Sequence, residues 1–126
     1  MSRVRGLRNR TTELRLAALF RRNGIVNWRT QATQLPGTPD FTFRRLKMAV
    51  FVDGCFWHGC PDCYTPPKSN KKFWAEKIRR NKARDRRVSG ELRSLGWAVL
   101  RIWECELRSD GPVVRKFRRV AFFATQ

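Results

Sequence analysis

The succession of periodic segments predicts an α/β fold: a single domain over residues 1–126, with a mixed central sheet flanked by helices. Three observations carry that reading. The segments follow the order α-β-β-β-α-β-α, which places strands and helices in one layered unit. Residues 48–52, MAVFV, form a continuous apolar run, as in a strand buried on both faces. The 126 residues contain neither repeat nor linker and are 41% hydrophobic, enough for one core of modest size.

Each element has a local reason. Residues 1–10 are basic and aperiodic and read as a flexible arm. Thr11 or Thr12 can cap a helix that opens near Glu13, an acid in its positive first turn. Leu16, Leu19 and Phe20 form its apolar face and Gly24 stops it. Residues 25–31 read as a strand, LPGTPD (35–40) as a turn, and 40–43 as a second strand. The apolar run 48–52 is the third. Residues 55–67 are irregular, with Gly59, Pro61, Pro66 and Pro67. A long helix follows from Ser69 or Asn70 to Leu95, with a break expected near Gly90. Residues 97–104, WAVLRIWE, are a strand. Asp110 and Pro112 open a last helix with Val113, Val114, Phe117, Val120 and Ala121 as its apolar positions.

Charge narrows the function. Lys and Arg number 28 against 10 acids, a net charge of +18. A compact domain so charged repels itself unless a polyanion neutralises it, and nucleic acid is the leading partner. An anionic membrane surface would need a cleaner apolar helix face. A ribosomal tail would not carry five tryptophans and nine phenylalanines. The long helix concentrates the charge, with ten basic residues and three acids between Lys71 and Leu95. No apolar run nears the roughly 20 residues of a membrane span. The opening MSRVRGLRNR lacks an apolar signal core, so a cytoplasmic protein is expected.

The four cysteines suit a metal in a reducing compartment. Cys60 and Cys63 form a CxxC, whose thiolates on a turn can reach one tetrahedral zinc. Cys55 and Cys105 then close a four-thiolate structural site tying the loop after the central strand to the end of the last strand. A redox CxxC is the competing reading, although Pro61, Pro66 and Pro67 oppose the helix such a motif opens. Three cysteines with His58 form the competing ligand set.

Phosphodiester cleavage needs divalent cations held by carboxylates and carbonyls. Asp40 heads one strand, and the next ends in Val52 and Asp53. These two acids and the Val52 carbonyl suit that task. His58, the chain's one histidine, lies just beyond and can move a proton near neutral pH. Glu13 comes close if its helix packs on the hairpin. The bland readings are a Pro-Asp turn, an Asp-Gly turn and a histidine satisfying a hydrogen bond. An aromatic pair at the mouth of a basic cleft can stack on bases where unstacking is cheapest, at a mismatch. As neighbours in an extended segment, Phe56 and Trp57 would point opposite ways, exposing at least one.

The motifs PDF at 39–41, GCFWH at 54–58, FWxEKIxxNxxRDRR at 73–87 and LGWxVLxxWEC at 95–105 resemble the very short patch repair (Vsr) DNA mismatch endonucleases. RTTELRL at 10–16 fits too, and the resemblance extends to about residue 108. It implies a restriction-endonuclease-like PD-(D/E)xK fold and nicking beside the T of T:G mismatches left by 5-methylcytosine deamination. Mg2+ would serve cutting and a structural Zn2+ the fold. Asp40 would be the principal metal carboxylate, Val52 would offer its carbonyl, and His58 would assist the chemistry, positioned with Glu13. Phe56, Trp57 and Trp74 match the intercalating aromatics, and Lys77, Arg79, Arg80 and Asn81 lie on the DNA-binding helix. Cys55, Cys60, Cys63 and Cys105 fall at or near the zinc positions, Cys60 standing where some members have a histidine. Asp53 stands where the best-known members have a histidine, and is a further candidate acid for cutting. The implied setting is bacterial, cytoplasmic and nucleoid-associated, with mismatched duplex DNA, no membrane and other mismatch-repair proteins as partners. The alternatives are a Vsr-like nicking nuclease of a restriction or defence module, and a non-catalytic zinc-containing DNA-binding protein.

Overall fold

The computed structural model describes the backbone of residues 2–124 and the side chains of 11–124. Helix α1, Ser2–Arg22, begins well before the expected start near Glu13, so Thr11 and Thr12 lie inside it and do not cap it. The side chains of the expected basic arm, residues 1–10, lie outside the described residues. The helix ends at Gly24 (φ 71°), where Ile25 N–H reaches back to Phe20 O at 2.9 Å and Gly24 N–H to Arg21 O at 3.2 Å.

The expected strand at 25–31 shrinks to β1, Arg29–Thr30. Asn27 and Gln31 both have positive φ, 68° and 55°, which breaks the extended ladder on either side. Strand β2, Phe41–Phe43, and strand β3, Met48–Asp53, form the expected hairpin. Residues 55–58 depart from the irregular loop expected there. They make one helical turn, α2 (Cys55–His58), with His58 N–H bonded to Gly54 O at 3.1 Å. Gly59 ends the turn with φ 64°, and a side chain there would meet Ile78 and Lys82 at under 3 Å. Glycine therefore lets the turn pack directly on the next helix.

That helix, α3, runs unbroken from Lys71–Ser94, through Gly90. Strand β4, Ala98–Trp103, follows, then a 3-10 turn, Glu104–Arg108, and α4, Asp110–Ala124. The sheet order is β1-β2-β3-β4, antiparallel except for the parallel pair β3/β4.

Strand alternation sorts the sheet into two faces. Met48, Val50, Leu100 and Ile102 join Leu16, Leu19 and Phe20 of α1 and Val113 and Phe117 of α4 in the main core. Phe20 meets Phe41, Phe43 and Phe117 with ring centroids 5.4–5.8 Å apart. On the other face, Ala49, Phe51 and Val99 pack under Val88 and Leu92 of α3. Among the described residues, no helix is long and apolar enough to cross a membrane.

Candidate active site and metal centre

The C-terminal end of β3 opens into a cleft of about 800 Å³. Its walls include Glu13, Asp40, Asp53, His58, Asp85 and Arg101. The β2/β3 register pairs Phe41 with Val50, so Asp40, just before β2, reaches across to Val52. Asp40 Oδ2 accepts the Val52 N–H at 2.8 Å. Burial raises the Asp40 carboxyl to about 6; Glu13 and Asp53 add to the rise, while the Val52 N–H and Arg101 oppose it. Arg101 offsets this burial only in part, and a divalent cation is a group that could offset the rest. Val52 lines the same cleft and meets Asp40 through its N–H.

Glu13 enters from α1 and accepts from Gln31 Nε2 at 2.8 Å. It is not the group bonded to His58. His58 Nδ1 lies 2.5 Å from Asp85 Oδ2, on α3, and 3.9 Å from Asp53 Oδ1. Asp85 is the bonded partner of the imidazole, and Glu13 lines the same cleft. An Nδ1–H donated to Asp85 leaves Nε2 as the atom that can exchange a proton.

Asp53 is buried, and burial raises its carboxyl while Arg101 and His58 pull it down. Arg101 Nη1 donates to its two oxygens at 2.9 and 3.2 Å. The β3/β4 register sets Arg101 beside Phe51, and the guanidinium stacks on that ring at 4.3 Å.

The four cysteines converge. Each places its sulfur within 4.8 Å of the others, with Cys60 and Cys105 at 3.8 Å. Four thiolates about 2.3 Å from a common zinc lie about 3.8 Å apart, so this donor set fits a tetrahedral ion. Burial first, then the crowded sulfurs, raises the Cys55 thiol strongly and Cys105 to about 11. Cys60 is lowered: the backbone amides of Asp62 and Cys63 outweigh its burial. Cys55 opens α2, Cys60 and Cys63 follow it, and Cys105 lies in the turn after β4. The cluster therefore joins the ends of the two parallel strands. His58 points to the carboxylates, so the alternative set of three cysteines with His58 is not assembled.

Phe56 and Trp57 share a helical turn, and the opposite orientations expected of an extended segment do not occur. Both join one aromatic group with Trp74. Phe56 and Trp57 are 5.3 Å apart, Phe56 and Trp74 5.2 Å, and Trp57 and Trp74 6.0 Å. Tyr64 and the exposed Phe73 extend the group. Lys77 Nζ lies over the Trp57 ring at 5.8 Å. Asn81, expected on the DNA face, is buried and donates to Trp57 O at 2.7 Å. It ties α2 to α3 in place of a DNA contact. Arg79 and Arg80 are exposed and both bond Glu76.

Asp85 and Arg101 carry no role in the sequence reading. Arg101 was signalled by its place: a lone cation inside the apolar run AVLRIW. Asp85 was hidden among the arginines of RDRR, where only the helical stripe Trp74, Ile78, Asn81, Asp85 reveals it facing inward.

The family model for DNA mismatch endonuclease Vsr matches residues 1–65. DNA mismatch endonuclease Vsr of Escherichia coli (strain K12) is 44% identical over 103 residues, 80% of this chain and 65% of that protein. A type II nicking enzyme of Xanthomonas oryzae pv. oryzae is 40% identical over 95 residues, 74% of this chain and 69% of the enzyme. Another, of Lentzea aerocolonigenes, is 51% identical over 72 residues, 57% of this chain and 43% of that enzyme. The mixed sheet, acid cleft and cysteine cluster define an α/β protein with two side-chain groups that could hold a metal ion. The chain belongs to the Vsr DNA mismatch endonuclease family. It spans 43% and 65% of the lengths of the Lentzea and Escherichia relatives.

Proposed function

We propose that this chain is a Mg2+-dependent, zinc-stabilised DNA endonuclease that nicks one strand at T:G mismatches arising from 5-methylcytosine deamination. One observation carries the reading: the acid cleft and the His58–Asp85 pair adjoin an aromatic group at the head of a strongly basic helix. The two parts match the two needs of a mismatch nuclease, phosphate chemistry and a probe of base stacking. The proposed setting is the bacterial cytoplasm, at the nucleoid, alongside other mismatch-repair proteins. The proposed fold class is the restriction-endonuclease-like PD-(D/E)xK group, with Pro39-Asp40 at the head of β2 as its first acid.

Asp40 would hold Mg2+ with the Val52 carbonyl, and Glu13 would add negative charge from α1. An ion held there would supply positive charge to offset that developing on the phosphate. Asp85 fixes the imidazole through Nδ1, so His58 Nε2 gives or takes the proton at the scissile phosphate. The cysteine cluster, as a closed zinc site, fixes the ends of β3 and β4 and hence the cleft floor. Phe56, Trp57 and Trp74 test the stack, because unstacking is cheapest beside a mismatch. Lys77 and the outer cations of α3 hold the phosphate backbone.

The relatives named as type II nicking enzymes favour a second reading, nicking in a restriction module without a mismatch requirement. End-labelled duplexes with T:G or paired T:A, incubated with protein and Mg2+, separate the two. A nick confined to the T strand of T:G supports the first reading, and equal nicking of both supports the second. No nicking of either, with tight binding retained, would leave a DNA-binding protein.

A further inference from the structure

Asp53, His58 and Asp85 each bring a ligand-type atom within 4.8 Å of the others. By composition, two carboxylates and an imidazole suit a divalent cation. Yet a positive group already stands among them. Arg101 Nη1 donates to both oxygens of Asp53, and it lies 3.8 Å from Asp85 Oδ1. Its other nitrogens are held by neutral acceptors. Nε donates to Ser89 Oγ at 3.0 Å, and Nη2 donates to the Asp85 carbonyl at 3.2 Å. The plane of the group rests on Phe51, beside it in the β3/β4 register.

Stacking and bonds to two elements fix the guanidinium, and the planar fork leaves it few alternative poses. The Asp53 side chain is 7% exposed. An ion seated between Asp53 and Asp85 would have to displace the arginine and leave a partly buried charge unpaired, which is costly.

We propose that Arg101 is a built-in cation of this cleft. It takes the place that a divalent ion would otherwise occupy between Asp53 and Asp85, and so keeps Asp53 out of metal coordination. Through the Asp85 carbonyl it also steadies the turn of α3 whose carboxylate meets His58. Arg101 is thus a positioning residue, acting through Asp53 and Asp85. The role of His58 in that arrangement rests on the nuclease reading, whereas the exclusion of an ion does not.

The probe is Mn2+, counted per folded chain by electron paramagnetic resonance on the full chain with its zinc content held constant. Asp40→Asn should remove a bound Mn2+, whereas Asp53→Asn should leave the count unchanged. Arg101→Met keeps bulk over Phe51 but removes the charge, and should gain one Mn2+ per chain. Arg101→Lys should gain none, since the charge is retained. Adding Asp53→Asn to Arg101→Met should remove the extra ion. Loss of an ion in Asp53→Asn alone, or an unchanged count in folded Arg101→Met, overturns the proposal. Asp53→Asn decides the matter even if Arg101→Met fails to fold. Nicking is assayed in parallel. A parent chain with these Mn2+ responses that nicks no duplex refutes the nuclease reading and leaves the internal cation standing.

Discussion

On the side of α1 and α4, the sheet presents Met48, Val50, Leu100 and Ile102, each at most 1% exposed, to an aromatic box around Phe20. On the side of α3, the same two strands present Ala49, Phe51 and Val99, but also Asp53 and Arg101. The inward stripe of α3 is mixed in the same way: Ile78 and Leu92 are buried beside Asn81 and Ser89, with Asp85 among them. The first face minimises exposed apolar area. The second buries polar groups and satisfies them with one another, an arrangement that positions side chains more than it stabilises the fold. Stability and chemistry should therefore respond to different substitutions.

The largest separation is expected at the cleft mouth. Asp40→Ala should lower nicking by about 10³-fold or more if Asp40 is, as proposed, the principal carboxylate holding the metal. Duplex binding should persist or tighten, because a negative charge beside phosphate is lost. Single-turnover nicking and a binding titration check both halves. Activity within about tenfold of the parent would remove Asp40 from the site.

A paired test sharpens the contrast between faces. Phe20→Ala should cost about 3–5 kcal/mol of unfolding free energy, the usual range for emptying an aromatic core position. Asp85→Asn should cost far less stability but slow nicking by about 10²-fold, since the imidazole loses its charged partner. Denaturant unfolding and nicking rates, measured on both variants, give the comparison. Equal stability losses would mean that the α3 face is ordinary core.

The apolar face was the legible one. Apolar runs located β3, β4 and α4, because a hydrophobic run states its own burial, whereas β2 was read from the turn before it and α3 from its charge and bounding residues. It failed where backbone torsion or partner choice decides. Asn27 and Gln31 cut β1 to two residues through positive φ, a preference that the strand-like residues around them conceal. Residues 55–58 form a helical turn that Gly59 ends at φ 64°, which placed Phe56 and Trp57 in one aromatic group. The acids Glu13, Asp40 and Asp53 were recognised as neighbours. Their bonding was not, because Asp85 and Arg101 reach the cleft from elements far away in sequence. The four cysteines were legible by count and spacing, and the structure brings all four together.

The acid cleft should also show itself in the pH dependence of stability. Asp40 rises from 3.8 to about 6 on folding. Between about pH 4 and 6 the folded chain then binds more protons than the unfolded chain, so Asp40 lowers stability as pH rises through that window, by at most about 3 kcal/mol. Urea melts without added Mg2+ should show the fall in the parent relative to Asp40→Asn. Added Mg2+ should reduce it above about pH 6, where the ionised carboxylate can bind the ion. Parent and variant curves that run parallel would mean that Asp40 stays ionised across the range.

The smallest effects belong to the exposed outer face of α3. Arg79 and Arg80 are 71% and 77% exposed, and Glu76 holds both. Such exposed pairs are screened by solvent and contribute little to stability, so replacing both arginines with alanine should hardly change the unfolding curve. Their effect should appear in DNA binding, and there only in part, since each must leave Glu76 to meet phosphate. Each contact made adds about 0.9 to the slope of log K against log salt, so the double variant should flatten that slope by no more than about 1.8. Glu76→Gln should act in the opposite direction, freeing both arginines and tightening binding at low salt. An unchanged slope in the double variant would move the phosphate contacts to Lys77, Arg84 and Arg87. The arginines would then only be paired with Glu76, whereas Arg101 on the inner face would remain the cation of α3's surroundings that bears on chemistry.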